Sequence, residues 1–476
     1  MKESARGLAV DILNRIDLAG LFAEPLLDQA LSRGALADLH DRRLLTEIVY
    51  GTLRMRGRLD WAIAQFYKGD TATMDAGVRN ILRTALYQLF FTDRIPAFAI
   101  VDEAVKIAKT LHPAASGLVN AILRNVIRRE REIAWPRIEE DPARHISVVH
   151  SHPLWLVERW ISLSGFQETL AFCSANNDIP PLSIRVNRLR ASRKTVMQHL
   201  RDEGFTVREA EFSPDGLVLT HAAMPVRETL SFKRGEIQIQ DEASQMASCL
   251  LDPGPGEKIL DACAGAGIKA TYIAEIMNNH GAVTAVDLSR QKIKALRENA
   301  GRLGIAILDP LVRDLREAPG ESFRDAFDGI LLDVPCSGLG TLRRNPEIKW
   351  RITAGDLRRQ SDLQKRLLGA AAGCLRPGGR LIYSTCSVMP EENEAVIADF
   401  LSRHGDFHCV HPPAGIPPSM VSDEGFFKTR PERHGTDGFF GAVLRRIPLS
   451  RSLKMASSRL KILDSPLTNH FSLSLS

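Results

Sequence analysis

The chain has 476 residues, of which 44% are hydrophobic and 25% are charged. This mixture excludes disordered and fibrous classes, and the length is enough for about three domains. Basic residues exceed acidic ones by 62 to 57, a formal charge of +5 that permits a nucleic-acid partner without establishing one. No apolar run is as long as a membrane span, and the first residues do not resemble a secretory signal. We therefore expect a cytoplasmic protein that makes no contact with a membrane.

The seven cysteines are an odd number and include no CxxC pair and no spacing typical of metal ligands. We therefore expect neither a disulfide framework nor a metal site.

Residues 1–135 are predicted to form an all-helical domain. Apolar residues recur there at helical spacing, as in 100–111 and 119–126, and there is little strand pattern. Several arginines lie off the apolar stripes of two predicted helices: Arg79, Arg83, Arg124, Arg128, Arg129 and Arg131. They fit a phosphate-binding face and, equally well, an ordinary solvated helix surface.

The rest of the chain divides into three further zones. Residues 136–245 contain prolines and short alternating runs, which predict a small α+β connector domain. Strand and helix patterns alternate over 246–446, which predicts a mostly parallel, doubly wound α/β domain. Residues 447–476 show no clear period, and we expect a poorly ordered tail.

A strand, a glycine turn and a helix are predicted around residue 265. The apolar run 258–263 leads into the turn 264–269, in which Gly265 and Gly267 are the glycines, and the next strand ends at Asp287. Glycines let the backbone approach a ligand, and a helix N-terminus offers free N–H groups. An acid at the end of the second strand is placed to accept hydrogen bonds from a ribose. The pattern therefore predicts a nucleoside cofactor.

Two cofactors remain compatible with this turn. Its glycine spacing also satisfies the dinucleotide pattern G-x-G-x-x-G/A, and glycines needed only for packing are a third reading. Asp261, at the end of the first strand, suits the ammonium group of S-adenosylmethionine and would lie awkwardly near a pyrophosphate. This favours S-adenosylmethionine over a nicotinamide dinucleotide.

Two cysteines follow predicted strands of the same sheet. Cys336 comes after the run 328–333, which ends in Asp333, and Cys386 comes after the run 379–385. Ligands of open α/β sheets bind at the carboxyl edge of the strands, so both thiols are expected to face one crevice. Cysteine is often merely a buried packing residue, which we expect for four others: Cys173, Cys249, Cys374 and Cys409.

Two thiols and an acid beside a methyl donor suit one reaction. Carbon 5 of a pyrimidine is a poor nucleophile until a group adds to carbon 6, and a thiolate is a natural group to add. Asp333 can donate or hold a proton near N3 of the ring as negative charge develops. The pattern favours methylation of cytosine at C5.

Segments 333–350 and 383–393 resemble the signature segments of RNA (cytosine-5)-methyltransferases. The helical zone, with 85–109 and 116–129, resembles the NusB-like RNA-binding domain of the RsmB (Sun, Fmu) branch, which methylates 16S ribosomal RNA. The resemblance covers about residues 5–446 and implies a Rossmann-like class I methyltransferase domain that uses S-adenosylmethionine. It implies that the partner is 16S ribosomal RNA of the small subunit or its precursor, and we expect a monomer.

The resemblance also orders the two thiols, which the spacing alone does not. It implies that Cys386 is the nucleophile and that Cys336 assists breakdown of the covalent adduct. Implied cofactor contacts are Cys263, Ala264, Gly265, Ala266, Gly267, Ile268, Lys269, Asp287, Asp314 and Asp333.

The sequence departs from the family at one point of the turn, where Ile268 replaces a glycine. A branched side chain disfavours positive φ and could crowd the methionine end of the cofactor, so any weakness is expected in cofactor affinity. Gly265 can compensate by moving the flexible point upstream, and we expect the site still to bind S-adenosylmethionine. Arg343, Arg344 and Lys349 fit RNA phosphates or a solvated loop.

Three alternative functions remain open from the sequence. A transfer-RNA methyltransferase would share the chemistry, a non-catalytic RNA-binding assembly factor would share the fold, and an NAD-dependent oxidoreductase would share the glycine turn.

Overall fold

The computed structural model describes residues 4–448, apart from 33, 35, 37, 94, 222, 223, 318 and 319. Nearly all of the predicted tail, residues 447–476, lies outside the described residues. The chain forms two compact units. Within the described part, the first comprises 4–180, 337–356 and 430–438, and the second comprises 181–336, 357–429 and 439–448.

The first unit is helical. Side-chain caps start several of its helices: Ser4 accepts from the Gly7 amide, and Asp75 from the Val78 amide. The first helix stops at Gly20, whose φ of 63° is left-handed. Its helices are α1 (Ala5–Ala19), α2 (Ala23–Ser32), α3 (Leu39–Phe66), α4 (Ala76–Phe91), α5 (Ala97–Leu111), α6 (Ser116–Arg129), α7 (Pro142–Val149), α8 (Leu154–Ser164) and α9 (Phe166–Ala175).

Two later segments of the chain complete this unit. Residues 337–356 include the 3₁₀ turn Ile348–Trp350, and residues 430–438 include the short helix Pro431–His434. The Trp350 indole N–H donates to the Leu53 carbonyl at 2.9 Å, which ties the first segment to α3. The predicted helices at 100–111 and 119–126 are confirmed as parts of α5 and α6, and their apolar positions pack in one core except Leu111, which is exposed.

The second unit begins with a small antiparallel sheet. Its strands lie in the order β2-β3-β1-β4, and helices flank them. The elements are β1 (Leu182–Val186), α10 (Arg193–Asp202), β2 (Thr206–Glu209), β3 (Gly216–His221), α11 (Leu230–Lys233), β4 (Ile237–Ile239) and α12 (Glu242–Cys249). Two of the alternating runs predicted in this zone, 182–187 and 235–240, are confirmed as containing strands β1 and β4.

A larger, mostly parallel sheet follows in the same unit. Its order is β10-β12-β9-β8-β5-β6-β7, and β11 pairs with β12. Strands β5 to β9 are parallel, while β10, β11 and β12 pair antiparallel. The elements are β5 (Lys258–Asp261), α13 (Ile268–Ile276), β6 (Ala282–Asp287), α14 (Arg290–Leu303), β7 (Leu308–Val312), β8 (Phe327–Asp333), α15 (Ala354–Ala372), β9 (Leu375–Thr385), α16 (Glu394–Arg403), β10 (Phe407–Val410), β11 (Phe427–Lys428) and β12 (Phe440–Arg446).

The order of the parallel strands positions the site. The chain runs outward from β5 to β6 and β7, then returns to β8 on the other side of β5. Such a reversal opens a crevice at the carboxyl ends of β5 and β8, which end in Asp261 and Asp333. Apolar cores cover both faces of the sheet. The predicted fold class, helical then small α+β then doubly wound α/β, is confirmed.

No helix within the described ranges is long and apolar enough to cross a membrane.

Candidate active site

The two predicted thiols lie against each other. Cys336 follows β8 and Cys386 follows β9, and these strands are adjacent and parallel with Asp333 paired to Ser384. The two sulfur atoms are 3.1 Å apart, a contact in which either thiol can be the donor. Neither forms a disulfide. The prediction that both thiols reach the same edge of the sheet is therefore confirmed.

Asp333 and Lys269 form an ion pair beside the thiols. The Lys269 ammonium lies 2.6 Å from Asp333 Oδ2, and the Ser384 hydroxyl donates to Asp333 Oδ1 at 2.8 Å. Burial lowers the pKa of Lys269, but the Asp333 carboxylate outweighs burial and the net shift is upward. The negative charge of a Cys386 thiolate adds to this upward shift, so the ammonium lies within electrostatic reach of that sulfur.

A buried hydrogen-bond network holds the turns that carry the cysteines. On α15, the Gln364 amide donates to the Pro335 carbonyl at 2.9 Å and to the Glu392 carboxylate at 3.1 Å. The Ser387 hydroxyl donates to the same carboxylate. Because Pro335 precedes Cys336 and Ser387 follows Cys386, one carboxylate joins both turns. Gln364 and Glu392 are fully buried.

A second pair of residues fixes the turn after β9. The Thr385 hydroxyl donates to Asn393 Oδ1 at 2.6 Å, and the Asn393 amide donates to the Ser387 carbonyl at 2.9 Å. Sequence reasoning missed these residues and Gln364, because their roles come from contacts made after folding. The polar run at 390–393, directly after the cysteine strand, was the available signal for Glu392 and Asn393.

The glycine turn has the geometry that a cofactor loop requires. Gly265 and Gly267 have φ values of 57° and 80°, in the left-handed region. A Cβ at Gly267 would lie 2.5 Å from Leu296 Cγ, so only glycine fits there. Asp287 ends β6 and accepts from the Gly265 amide at 3.0 Å, which places its carboxylate against the turn.

Asp261 offers the strongest sign of a missing cationic group. It is 1% exposed, and both carboxylate oxygens lack a well-formed hydrogen bond to any described residue. Burial and the nearby Asp333 carboxylate raise the pKa of Asp261 to about 7. A buried acid normally has partners, so an ammonium group would resolve this arrangement. The residues at this edge therefore fit S-adenosylmethionine.

Ile268 does not strain the turn. It is the first residue of α13, and the positive φ values fall on the glycines before it. Its carbonyl accepts from Arg185 of β1 at 2.9 Å, and Arg185 also pairs with Glu275 at 2.8 Å. Gly265 therefore supplies the flexible point, as the sequence had suggested. Arg185 is a supporting residue that sequence reasoning missed.

Two other predicted cofactor residues have different surroundings. Asp314 lies just beyond β7, and its carboxylate is held by the Arg316 guanidinium at 2.6 Å. Cys263 follows β5, and burial raises the pKa of its thiol, which keeps it neutral. Ala264 and Ala266 are fixed by backbone contacts, the Ala264 amide to Val286 and the Ala266 carbonyl to Asn299.

Some arginines and a lysine considered for RNA phosphates are instead internal. Lys349 is 1% exposed and donates to the Arg54 carbonyl at 3.0 Å. Arg343 is 5% exposed and donates to the Gly435 carbonyl, while Arg344 pairs with Asp437 at 2.7 Å. Arg83 is 2% exposed and bonds to Asp60. The phosphate interpretation was wrong for Lys349, Arg343 and Arg83, because their side chains are buried and hydrogen-bonded inside the first unit.

The arginines of α6 keep an exposed setting. Arg124, Arg128 and Arg129 are exposed on this helix, and Arg129 pairs with Glu132 at 2.7 Å.

No group of three or more His, Cys, Asp or Glu side chains in the described ranges is arranged to hold a metal ion.

Comparison with protein families gives three adjoining matches. Residues 248–445 match the family 16S rRNA methyltransferase RsmB/F, and residues 3–128 match the NusB family. Residues 152–227 match the RsmF/B-like ferredoxin-like domain. The chain thus has a NusB domain, a ferredoxin-like domain and a methyltransferase domain in that order.

Individual relatives match over nearly the whole chain. A probable ribosomal RNA small subunit methyltransferase B of Bacillus subtilis (strain 168) is 36% identical over 94% of this chain and 99% of its own length. A ribosomal RNA small subunit methyltransferase B of Pseudomonas syringae pv. tomato is 36% identical over 86% of this chain and 90% of its own length.

Solved structures agree with these matches. The crystal structure of PH0851 superposes with a TM-score of 0.79 at 31% identity, covering 93% of this chain and 99% of the other. A methyltransferase homologue from Pyrococcus horikoshii has a TM-score of 0.57 at 30% identity, covering 65% of this chain and 100% of the other. The chain therefore belongs to the RsmB/F family of 16S rRNA methyltransferases.

Proposed function

We propose that this protein transfers a methyl group from S-adenosylmethionine to C5 of a specific cytosine in 16S ribosomal RNA, through a covalent adduct between Cys386 and C6. The observation that carries this proposal is the 3.1 Å contact between the Cys336 and Cys386 sulfurs beside the Asp333–Lys269 pair. Methyl transfer to an already nucleophilic oxygen or nitrogen has no use for two adjoining thiols, whereas C5 of cytosine needs prior addition at C6.

The side chains at this edge of the sheet have separate roles in the proposed reaction. The Cys386 sulfur forms a bond to C6, and the ring becomes an enamine whose C5 is nucleophilic. The Asp333 carboxyl, oriented by Ser384, holds a proton or a hydrogen bond at N3 as charge develops there. After methylation a base removes the C5 proton, the electron pair of that bond re-forms the C5–C6 double bond, and the bond from sulfur to C6 breaks. Cys336 assists this release from its position against Cys386.

The cofactor would be held by groups at the ends of four strands. Asp261 would meet the ammonium group, the turn from Cys263 to Lys269 would approach the ligand with its backbone, and Asp287 would accept from the ribose. Asp314 and Asp333 are the remaining proposed contacts. When bound, S-adenosylmethionine supplies the electrophilic methyl group.

The RNA target needs a base that can leave its stack. A cytosine in an unpaired segment can be splayed out toward an active site, which a paired cytosine resists. The match to ribosomal RNA methyltransferases over nearly the whole chain favours 16S ribosomal RNA over transfer RNA.

The test is methyl transfer from labelled S-adenosylmethionine to 16S ribosomal RNA and, in parallel, to bulk transfer RNA, with nuclease mapping of both. We expect a single 5-methylcytosine in the ribosomal RNA. Label only in transfer RNA would overturn the substrate, and a folded, cofactor-binding protein that labels neither RNA would overturn the enzymatic function.

A further inference from the structure

A second candidate site lies in the first unit, which contains neither of the two cysteines. A cavity of about 280 Å³ opens there between α1, α3, α4 and the segment that carries Trp350. This volume is near the lower end of the range for small-ligand sites. Three arginines line it, together with an indole and two acids: Arg56, Arg79, Arg351, Trp350, Asp17 and Glu347.

The charge around this cavity is predominantly positive. Asp17 is already engaged, because its carboxylate accepts from Arg56 at 3.0 Å and from Arg83 at 3.1 Å. Burial and the guanidiniums of Arg83 and Arg79 lower the pKa of Arg56, while the carboxylates of Asp17 and Asp60 oppose them. Like charges held this close are costly, and an anion placed among them would relieve the repulsion.

Two polar atoms at the cavity have no partner within the described ranges. The Arg79 Nε is buried without a hydrogen bond, although its Nη1 donates to the Thr71 carbonyl at 3.0 Å. Glu347 is 1% exposed, and its Oε1 accepts from the Ala23 amide at 2.8 Å while its Oε2 has no partner. Both atoms are enclosed by the protein, so a ligand in the cavity would be held by the guanidinium charges and not by these two atoms.

The remaining wall of the cavity is apolar. Ile16, Leu18 and Ala76 line it beside the Trp350 indole, whose N–H is already bonded to Leu53. Aromatic and aliphatic surfaces take the faces of nucleobases, while guanidiniums take phosphate oxygens. An apolar face and an anionic group are together the properties of a nucleotide.

We propose that this cavity binds one unpaired nucleotide of the substrate RNA, with its phosphate on Arg56 and Arg79 and its base against Trp350. This inference rests on the proposed RNA substrate, and it adds a contact that is separate from the cysteines and from the glycine turn. It also explains why an arginine considered for phosphates from the sequence, Arg79, stands at a cavity.

The test measures equilibrium binding of 16S ribosomal RNA by the full chain, without methyl transfer, at several salt concentrations. We expect Arg79→Gln to weaken binding roughly tenfold and to reduce the salt slope by about 0.7, the value for one phosphate contact on a single strand. Ala76→Leu should weaken binding by filling the cavity without removing a charge. Arg137→Gln is the matched control, because Arg137 is 75% exposed and lies outside the cavity lining, and it should bind like the unchanged protein.

Each outcome separates the possibilities. Equal binding by Arg79→Gln and the unchanged protein overturns the proposal, and so does normal binding by Ala76→Leu, since the arginine would then act as a surface charge. Thermal unfolding of both variants identifies any that fails to fold, and the variant that folds then tests the proposal.

Uridine and guanosine 5′-monophosphates serve as competitors of the RNA. Binding of these nucleotides in the cavity without any effect on RNA affinity would assign the cavity to a free nucleotide and overturn the RNA contact. A protein that binds 16S ribosomal RNA through this cavity yet transfers no methyl group would refute the proposed function and leave this inference standing.

Discussion

The thiols of Cys336 and Cys386 lie against each other but belong to different turns. Cys386 follows Ser384 and Thr385, and the Ser384 hydroxyl and the Lys269 ammonium both bond to Asp333. Cys336 follows Pro335, whose carbonyl accepts from Gln364. Asp333 belongs to the strand that leads to Cys336, and the Glu392 carboxylate connects both turns, so these contacts do not order the thiols. The charge of a Cys386 thiolate raises the pKa of Lys269, so this ammonium is close enough to stabilise that thiolate, which agrees with Cys386 as the proposed nucleophile.

Replacement of Cys386 by alanine should abolish methyl transfer, because no other group could then add to C6 in the same position. Labelled methyl transfer to 16S ribosomal RNA measures this. Cys409→Ala is the control, since Cys409 lies on β10 in an apolar environment, and it should retain activity. Full activity of Cys386→Ala would assign the nucleophile to Cys336 instead.

Asp261 should make cofactor binding depend on pH. Burial raises its pKa to about 7, so the carboxylate takes up a proton as the pH falls through 7 and its attraction for an ammonium group is lost. We expect the affinity for S-adenosylmethionine to be lower at pH 6 than at pH 8. Titration calorimetry at both pH values measures it.

The Asp261→Asn variant is the counterpart of that measurement. It should bind S-adenosylmethionine roughly tenfold or more weakly at pH 8, because a charge-assisted contact is lost, and its affinity should no longer change between pH 6 and pH 8. The same pH dependence in the variant and in the unchanged protein would show that another group is responsible.

At the scale of elements, strand ends bring the site together and one helix holds it. Strands β5, β6, β8 and β9 deliver the acids and thiols to one edge, while α15 supplies the amide that joins the two cysteine turns through Glu392. The strand ends were predictable, because apolar runs followed by turn residues mark them in the sequence. The contact that Gln364 of α15 makes with Pro335 was not predictable, because nothing in the sequence relates Gln364 to a residue 29 positions before it.

Loss of the Gln364 hydrogen bonds should slow catalysis and lower the stability of the fold. Gln364→Leu removes the Gln364 donor from the Pro335 carbonyl and from the Glu392 carboxylate, which costs about 1–3 kcal/mol of unfolding free energy. We expect slower methyl transfer with unchanged affinity for S-adenosylmethionine. Urea unfolding and initial rates measure both effects. Arg366 is exposed on the same helix, and Arg366→Gln should change neither quantity. Methyl transfer by Gln364→Leu at the rate of the unchanged protein would show that the Gln364 hydrogen bonds do not support catalysis.

The cofactor turn shows where a local departure could be judged only after folding. Ile268 stands where the family has a glycine, and the sequence left open whether a branched residue was compatible with the backbone. The structure places it at the start of α13 and gives the left-handed conformations to Gly265 and Gly267. Backbone dihedral angles decide such a question, and they are not encoded in a motif.

At the scale of the whole molecule, two units divide the chain in a way that its linear order does not suggest. Residues 337–356 and 430–438 lie within the catalytic zone of the sequence but belong to the helical unit. Arg343 and Lys349 lie in the first of these segments. The sequence suggested them as contacts for RNA phosphates, but the structure places them inside the helical unit. The fold of each zone followed from periodicity, whereas long-range packing of these segments did not. The domain boundaries near 135 and 245 stay predictions.

The buried Lys349 should give the first unit a pH-dependent stability. Burial lowers its pKa to about 7, so between about pH 7 and pH 10 the folded protein binds fewer protons than the unfolded chain. Stability from this group therefore rises with pH across that window and falls as the pH approaches 7. Lys349→Met should flatten the rise of the thermal midpoint between pH 7 and pH 9.

A matched lysine separates this effect from general charge. Lys109 is exposed on α5, and Lys109→Met should keep the pH dependence of the unchanged protein. An identical profile for Lys349→Met and Lys109→Met would contradict the role of burial.

The most direct test of the proposed chemistry is to isolate the covalent intermediate with the Cys336→Ala variant, 16S ribosomal RNA and S-adenosylmethionine. Without Cys336 the release of Cys386 should be slow, and a complex should persist on a denaturing gel. Digestion and mass spectrometry should then find the peptide that contains Cys386 linked to a methylated cytidine. A complex that never forms despite methyl transfer by the unchanged protein, or a link through any residue other than Cys386, would contradict the account.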